Sequence, residues 1–192
     1  MAGVQLVWTN PPTDTRYVTD RAWERATLEC CPFHDDGRCG LQRLGSYPRV
    51  WPVGARVARF WCPLAATSIS LLPDFLAARI SGSIDEVEAV VDAVERAGSL
   101  AQAIEMVHPA AVEGAISLTS ARRSIERRVR PIRAVLRACV TLLPDLAGCA
   151  PSLAEVRRRL GVDRVLLELR RRLAHHLGSW LAPFGFRARG TA

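Results

Sequence analysis

Two short segments in this sequence carry side chains suited to holding a metal ion: Cys31-Pro32-Phe33-His34 and, about thirty residues later, Cys62-Pro63-Leu64-Ala65. A tetrahedral Zn²⁺ takes four nitrogen or sulfur ligands, and ligands two residues apart can both be presented by one tight turn. Ala65 stands where a second cysteine would complete the later turn. Cys31, His34 and Cys62 are therefore the first ligands, and Cys39 or Cys30 completes the shell if the intervening loop folds back. The expected ligand set is Cys31, His34, Cys39 and Cys62, with Zn²⁺ as the expected ion. An alternative keeps the cysteines as small buried apolar residues around an aromatic core of Phe60, Trp61 and Phe75.

The second chemical signal is charge. The chain has 192 residues and 26 basic side chains, all arginine, for a net charge of +7. A GC-rich coding sequence explains arginine in place of lysine, so position carries more information than number. Residues 1–61 carry +2, residues 62–121 carry −6 and residues 122–192 carry +11. Blocks of one sign mark interaction surfaces, and a polyanion such as nucleic acid is the natural partner of the last. Arg122, Arg123, Arg127, Arg128, Arg130, Arg133 and Arg137 form one stripe; Arg157, Arg158, Arg159, Arg164, Arg170, Arg171 and Arg172 form another. About five phosphate contacts by the first stripe imply a log K against log salt slope of about −4.5.

Other chemistry is missing. His175 and His176 are adjacent, so on a helix they point about 100° apart, without a local acid or cysteine. Cys139 and Cys149 lack a nearby histidine, and the chain has no P-loop, no GxSxG and no dinucleotide-binding fingerprint. A zinc enzyme would have to enlist Asp35 or Asp36 as general base, with little else to support it. The expectation is a protein that is not an enzyme. No stretch reaches the ~18 consecutive apolar residues of a membrane span. The start of the chain lacks the features of a secretory signal, which points to a cytoplasmic protein with reduced cysteines.

The elements that must position these residues follow from periodicity. Residues 1–29 read as a leader of irregular structure or a short helix around Tyr17 to Leu28. Residues 30–81 read as a β module with strands at Gln42 to Tyr47, Arg49 to Val53 and Arg56 to Cys62, broken by Pro48, Pro52 and Gly54. Residues 82–144 are helical. Ile84, Val87, Val91 and Val94 share a face with acids on the other; Ser83 and Glu86 form a capping box, and Gly98 ends the helix. A short helix from Ser99 to Val107 follows, then a long basic helix capped by Thr119 or Ser120 and reaching Leu143, with Pro131 as a kink or break. Residues 145–192 are a basic helical region: Ser152 caps a helix to Leu160, and another runs from Asp163 to Leu177. The fold class is α+β, mostly α.

Cys31-Pro32 through Gly45-Ser46-Tyr47, Arg59-Phe60-Trp61-Cys62-Pro63 and Thr67-Ser68-Ile69-Ser70-Leu71-Leu72-Pro73-Asp74-Phe75-Leu76 resemble the zinc-ribbon segment ahead of helix-turn-helix domains in bacterial insertion-sequence transposases and related DNA-binding proteins. The resemblance covers about residues 30–80. Ser99 to Val107 and Ile116 to Val129 are similar to the helix-turn-helix of the same proteins, with Ser117, Ser120, Arg122 and Arg123 on recognition-helix positions. It implies a zinc-bearing, double-stranded-DNA-binding protein, transposon-associated or regulator-like. Arginines would lie on phosphate and in the major groove, and the nucleic-acid-binding set is Ser117, Ser120, Arg122, Arg123, Arg127, Arg128 and Arg130. Its companion would be a second copy or a transposase, since this length does not hold the three-carboxylate nuclease sheet. The competing reading is a non-catalytic protein-interaction module with a structural zinc ribbon, whose acidic middle meets a basic partner or the basic tail of a second copy.

Overall fold

The structure is a computed structural model that describes residues 3–8, 11, 14–34 and 37–173. It is an α+β fold. The described residues up to Ser83 form one compact unit and those from Ile84 to Leu173 another. His175, His176 and Leu177 lie outside the described residues.

The first unit is a four-stranded sheet: β1 (Gly3–Trp8), β2 (Gln42–Pro48), β3 (Arg56–Cys62) and β4 (Thr67–Pro73), in spatial order β1-β4-β3-β2. β4 is the most buried strand and lies inside the sheet, pairing antiparallel with β3 and parallel with β1. Its run from Ser68 to Pro73 is buried throughout, as expected of a strand covered on both faces. The leader is therefore not irregular: Val4 faces Ile69 and Leu6 faces Leu71 in register, and Val4 is fully buried. Six residues with few strand breakers acquire a partner that no local pattern announces. Val4→Asp is expected to destabilise this unit by roughly 3 kcal/mol or more, because it buries an unpaired carboxylate. Denaturant unfolding measures the loss.

Residues 49–53, expected as a strand, form a turn instead. Arg49 N–H donates to Ala55 O and Ala55 N–H to Pro52 O, and the Arg49 guanidinium donates to the carbonyls of Ala77 and Ile80 at 2.9 and 3.0 Å. That leaves Val50, Trp51 and Val53 exposed. Trp51-Pro52 is cis. The leader helix is also shorter than expected. It is α1 (Asp14–Thr19), followed by a 3₁₀ turn over Ala22–Glu24. Both are held to the sheet, since Tyr17 Oη donates to Arg56 O at 2.6 Å and Arg43 donates to the carbonyls of Trp23 and Ala26. Tyr17 meets Trp8, Trp23 and Phe75 edge-on or tilted, at 5.4–6.0 Å between ring centroids. The aromatic core is thus built around Tyr17. Phe60 belongs to a separate cluster with Cys31, Cys39 and Cys62.

The second unit is helical: α2 (Ile84–Arg96), α3 (Leu100–Val107), α4 (Pro109–Val112), α5 (Leu118–Leu142), α6 (Leu153–Leu160) and α7 (Val165–Arg172). α2 packs against α3, α5, α6 and α7. Ser99 caps α3 and Ser152 caps α6, each accepting an amide three residues on, and Gly161 ends α6 in the left-handed region. The cap of α5 is Ser117, not Thr119 or Ser120; its hydroxyl accepts Ser120 N–H at 3.2 Å. Pro131 neither breaks nor ends α5. A mid-helix proline costs about 3 kcal/mol. Against that, Ala121, Ile125, Val129, Ile132, Val135, Leu136 and Cys139 form one buried stripe along both halves, and burying each large side chain is worth about 1.5–3 kcal/mol.

Candidate metal centre and basic helix

Cys31 and His34 lie at the two ends of a tight turn in which His34 N–H donates to Cys31 O at 3.2 Å. Cys62 is the last residue of β3, and the chain turns through Pro63-Leu64-Ala65-Ala66 into β4. Cys39 comes from a loop in which Gly37 and Gly40 both take positive φ, conformations glycine adopts at little cost. These elements bring the Cys31, Cys39 and Cys62 sulfurs and a His34 ring nitrogen within 4.8 Å of one another.

The spacing fits a metal. His34 Nδ1 is 3.5 Å from Cys31 Sγ and 3.4 Å from Cys62 Sγ. Zinc bonds of about 2.3 Å to sulfur and 2.0–2.1 Å to nitrogen at the tetrahedral angle give a ligand-to-ligand edge of about 3.6 Å. The three cysteines are buried and His34 is half-buried. This Cys₃His group could hold a metal ion. Cys39 takes the place left open by Ala65, which is instead packed against the cluster, its N–H donating to Cys62 Sγ at 3.4 Å. Cys30 is exposed and is not part of it.

The thiols are electrostatically unequal. Burial pushes Cys31 up to about 11, against the opposing effect of the Phe33 amide. At Cys62 burial acts the same way but is outweighed by the amides of Ala65 and Leu64 and by thiol donors from Cys31 and Cys39, so its thiol is held below the usual range. Amide donors aimed at sulfur favour thiolate, the form that binds metal. Cys139, within α5, is pushed by burial up to about 12.

The seven residues expected at a nucleic-acid surface all lie at the start or along the first half of α5, but they are not equivalent. Ser117 and Ser120 are exposed, yet their hydroxyls bond each other at 3.0 Å and Ser117 serves as the cap. Arg122 pairs with Glu126 at 2.7 Å. Arg128 is drawn inward: it is half-buried and donates to Ser124 Oγ at 2.6 Å. Burial, then the nearby Arg128 charge, lowers the His108 pKa. Arg123, Arg127 and Arg130 are exposed and make no ion pair or side-chain hydrogen bond to another described residue, and the same holds for Arg133 and Arg137. The turn ahead of α5 contains α4 and is longer than a three- or four-residue helix-turn-helix connection.

The arginines of α6 and α7 are mostly engaged within the chain. α2 carries Asp85, Glu88, Asp92 and Glu95 at helical spacing, and this acidic stripe receives Arg157 and Arg164, while Arg158, Arg171 and Arg172 pair with Glu155, Glu168 and Asp145. Arg157 bridges Glu88 at 2.9 Å and Asp92 at 2.7 Å, and Arg164 pairs with Asp85 at 2.6 Å. Glu88 also accepts the N–H groups of Val165 and Leu166 at 3.0 and 2.8 Å, while Glu95 accepts those of Leu153 and Ala154 at 2.9 and 3.2 Å. The first turns of α7 and α6, whose amides have no partner within the helix, are thus both capped by carboxylates of α2. Arg171, then Arg172, hold the Glu168 carboxyl at about 2 despite its partial burial. The acidic middle of the sequence therefore meets the basic tail of its own chain. Sequence reading missed Glu88 and Glu95 because acids opposite an apolar face look solvated. The available hint was Arg164, which precedes α7 where a capping side chain is expected and makes no cap bond.

No family model matches the chain, and comparison with curated proteins and with solved structures likewise finds no match. Among the described residues no helix is long and apolar enough to cross a membrane.

Proposed function

We propose that this chain is a non-catalytic double-stranded-DNA-binding protein in which a zinc-held, ribbon-like unit accompanies a helical unit that carries the DNA contact. The observation that carries this reading is α5. Its exposed Arg123, Arg127, Arg130, Arg133 and Arg137 have no internal counter-charge among the described residues, whereas most arginines of α6 and α7 are engaged internally. Uncompensated guanidinium groups in a row on one helix are the electrostatic footprint of a phosphate partner.

Zinc is the proposed ion because three thiolates and one imidazole form a soft, four-coordinate donor set of the structural kind. Cys31, His34, Cys39 and Cys62 would fill every position of the shell, and the ion would tie the Cys31–His34 turn and the Cys39 loop to the end of β3. The transposon-associated or regulatory setting, with a second copy or a transposase alongside, belongs to the same proposal.

Fluorescence anisotropy with a random-sequence duplex at two salt concentrations tests the DNA contact. Binding should weaken steeply with salt, with a slope of about −4.5 for five phosphate contacts. A flat or absent response removes the reading. One feature favours the protein-interaction module instead: Leu100, Val112 and Leu118 are exposed and line an open groove of about 1100 Å³ with Arg122, Arg123 and Glu126. A protein-interaction module would show no duplex binding at any salt concentration.

A further inference from the structure

Resting on the DNA-binding reading, the geometry points to a particular mode of contact. We infer that the chain holds DNA through its phosphates along the length of α5, with little preference for base sequence, and that the N-terminal tip of α5 does not read bases.

Arg123, Arg127, Arg130, Arg133 and Arg137 recur at steps of four, three, three and four residues. At 100° and 1.5 Å per residue they occupy a sector about 120° wide and a length of about 21 Å. This is the rise of about six base pairs, at 3.4 Å per phosphate along one strand. All five line one cleft of about 880 Å³, whose opposite wall is formed by Val94, Ala97, Gly98, Ser99, Leu100 and Ala103. That wall contributes no acid. Glu126 is the single acidic residue lining the cleft, and it is paired with Arg122. A backbone laid in this cleft would meet positive charge along its whole length and no unpaired carboxylate on the far side.

The tip of α5 is differently equipped. Base reading needs free donors that reach a groove edge, such as a guanidinium forked onto guanine. Here the Arg122 Nε is bonded to Glu126, and the hydroxyls of Ser117 and Ser120 are bonded to each other. Leu118, Val112 and Leu100 are exposed apolar residues that line one groove with Arg122. Contacts to phosphate fix position and carry no sequence information directly, so a protein that relies on them binds duplexes of different sequence alike.

The test compares an Arg127→Gln/Arg130→Gln/Arg133→Gln triple variant, an Arg123→Gln/Arg137→Gln double variant and an Arg122→Gln/Ser120→Ala variant with the wild-type full chain. Anisotropy would be read on an AT-rich and a GC-rich duplex across a salt series, with circular dichroism melting as the folding control. Wild type should bind the two duplexes within about threefold of each other. The triple variant should melt as wild type does, bind at least about tenfold more weakly at low salt, and show a slope shallower by about 2.7, the double variant one shallower by about 1.8. Arg122→Gln/Ser120→Ala should bind within about twofold of wild type. Salt-sensitive binding that neither row variant alters, or a tenfold sequence preference that Arg122→Gln/Ser120→Ala abolishes, overturns this mode and leaves DNA binding standing. Failure of the wild type to bind either duplex overturns DNA binding itself.

Discussion

Cys39→Ser protein is expected to bind zinc about 100-fold more weakly than wild type. Structural zinc contributes about 10–16 kcal/mol of binding free energy in small domains. Spread over four ligands, the loss of one thiolate removes about 3 kcal/mol or more, and 1.4 kcal/mol is a factor of ten. Cys39 is the informative position because it comes from neither knuckle-like segment, and it occupies the corner of the cluster that Ala65 cannot supply. Cys62→Ser should behave in the same way. Cys30→Ser should leave zinc content unchanged, since that thiol is exposed and outside the cluster. Metal analysis of purified protein with a competing chromophoric chelator measures all three. Full zinc retention in Cys39→Ser or Cys62→Ser, or its loss in Cys30→Ser, would show that the ligand set is wrong. Stability should follow the metal, because Cys31, Cys39 and Cys62 lie in one buried cluster with Phe60, Ile69 and Leu71. If the cluster holds zinc as proposed, stripping the ion would leave three thiols and an imidazole facing one another at the end of the sheet, and the thermal midpoint of the first unit should fall.

Glu88→Gln is expected to destabilise the helical unit by about 2–3 kcal/mol, because buried donors lose their acceptor, while Arg157, itself 32% exposed, keeps its pair with Asp92. The Glu88 side chain is 7% exposed and its carboxylate serves Arg157 and two amides of α7 at once. Glutamine keeps the shape but places an N–H₂ donor against either the Leu166 amide or the Arg157 guanidinium, so two donors face each other without an acceptor. Asp85→Asn should cost under about 1 kcal/mol, although Asp85 also pairs with an arginine, because that pair is half-exposed on both sides. Chemical denaturation of both variants separates the two cases. If Glu88→Gln and Asp85→Asn cost the same, the acidic stripe of α2 is only a solvated face. A double-mutant cycle between Glu88 and Arg157 should also give a coupling larger than one between Asp85 and Arg164.

The contrast between Glu88 and Asp85 bears on why the charge blocks were misleading in one dimension. The −6 and +11 segments suggested a surface for a partner, and for the row on α5 that remains a proposal. Part of the basic segment pairs internally: Arg157 and Arg164 reach back some seventy residues to α2. Arg158 and Arg171 pair with acids on their own helices, but whether Arg157 and Arg164 have partners depends on which helices pack together, and apolar faces drive that packing.

What the sequence by itself determined is local. Ser99 and Ser152 start helices because a hydroxyl can accept an amide three residues on; Gly161 ends one because it takes a left-handed backbone at little cost; and Ile84, Val87, Val91 and Val94 share one face because they recur at helical spacing. Cys31, His34 and Cys62 were legible from their turns, and Cys39 only as one of two choices. Tertiary structure decided the rest. Val4 pairs with Ile69 across sixty-five residues, and Cys39 reaches Cys62 only because β3 and the glycine loop converge. Glu88 and Glu95 become caps only when α6 and α7 dock on α2. In each case the deciding contact is between segments far apart in the chain, where neither periodicity nor spacing has reach, and burial of apolar surface is the main force that brings the segments together.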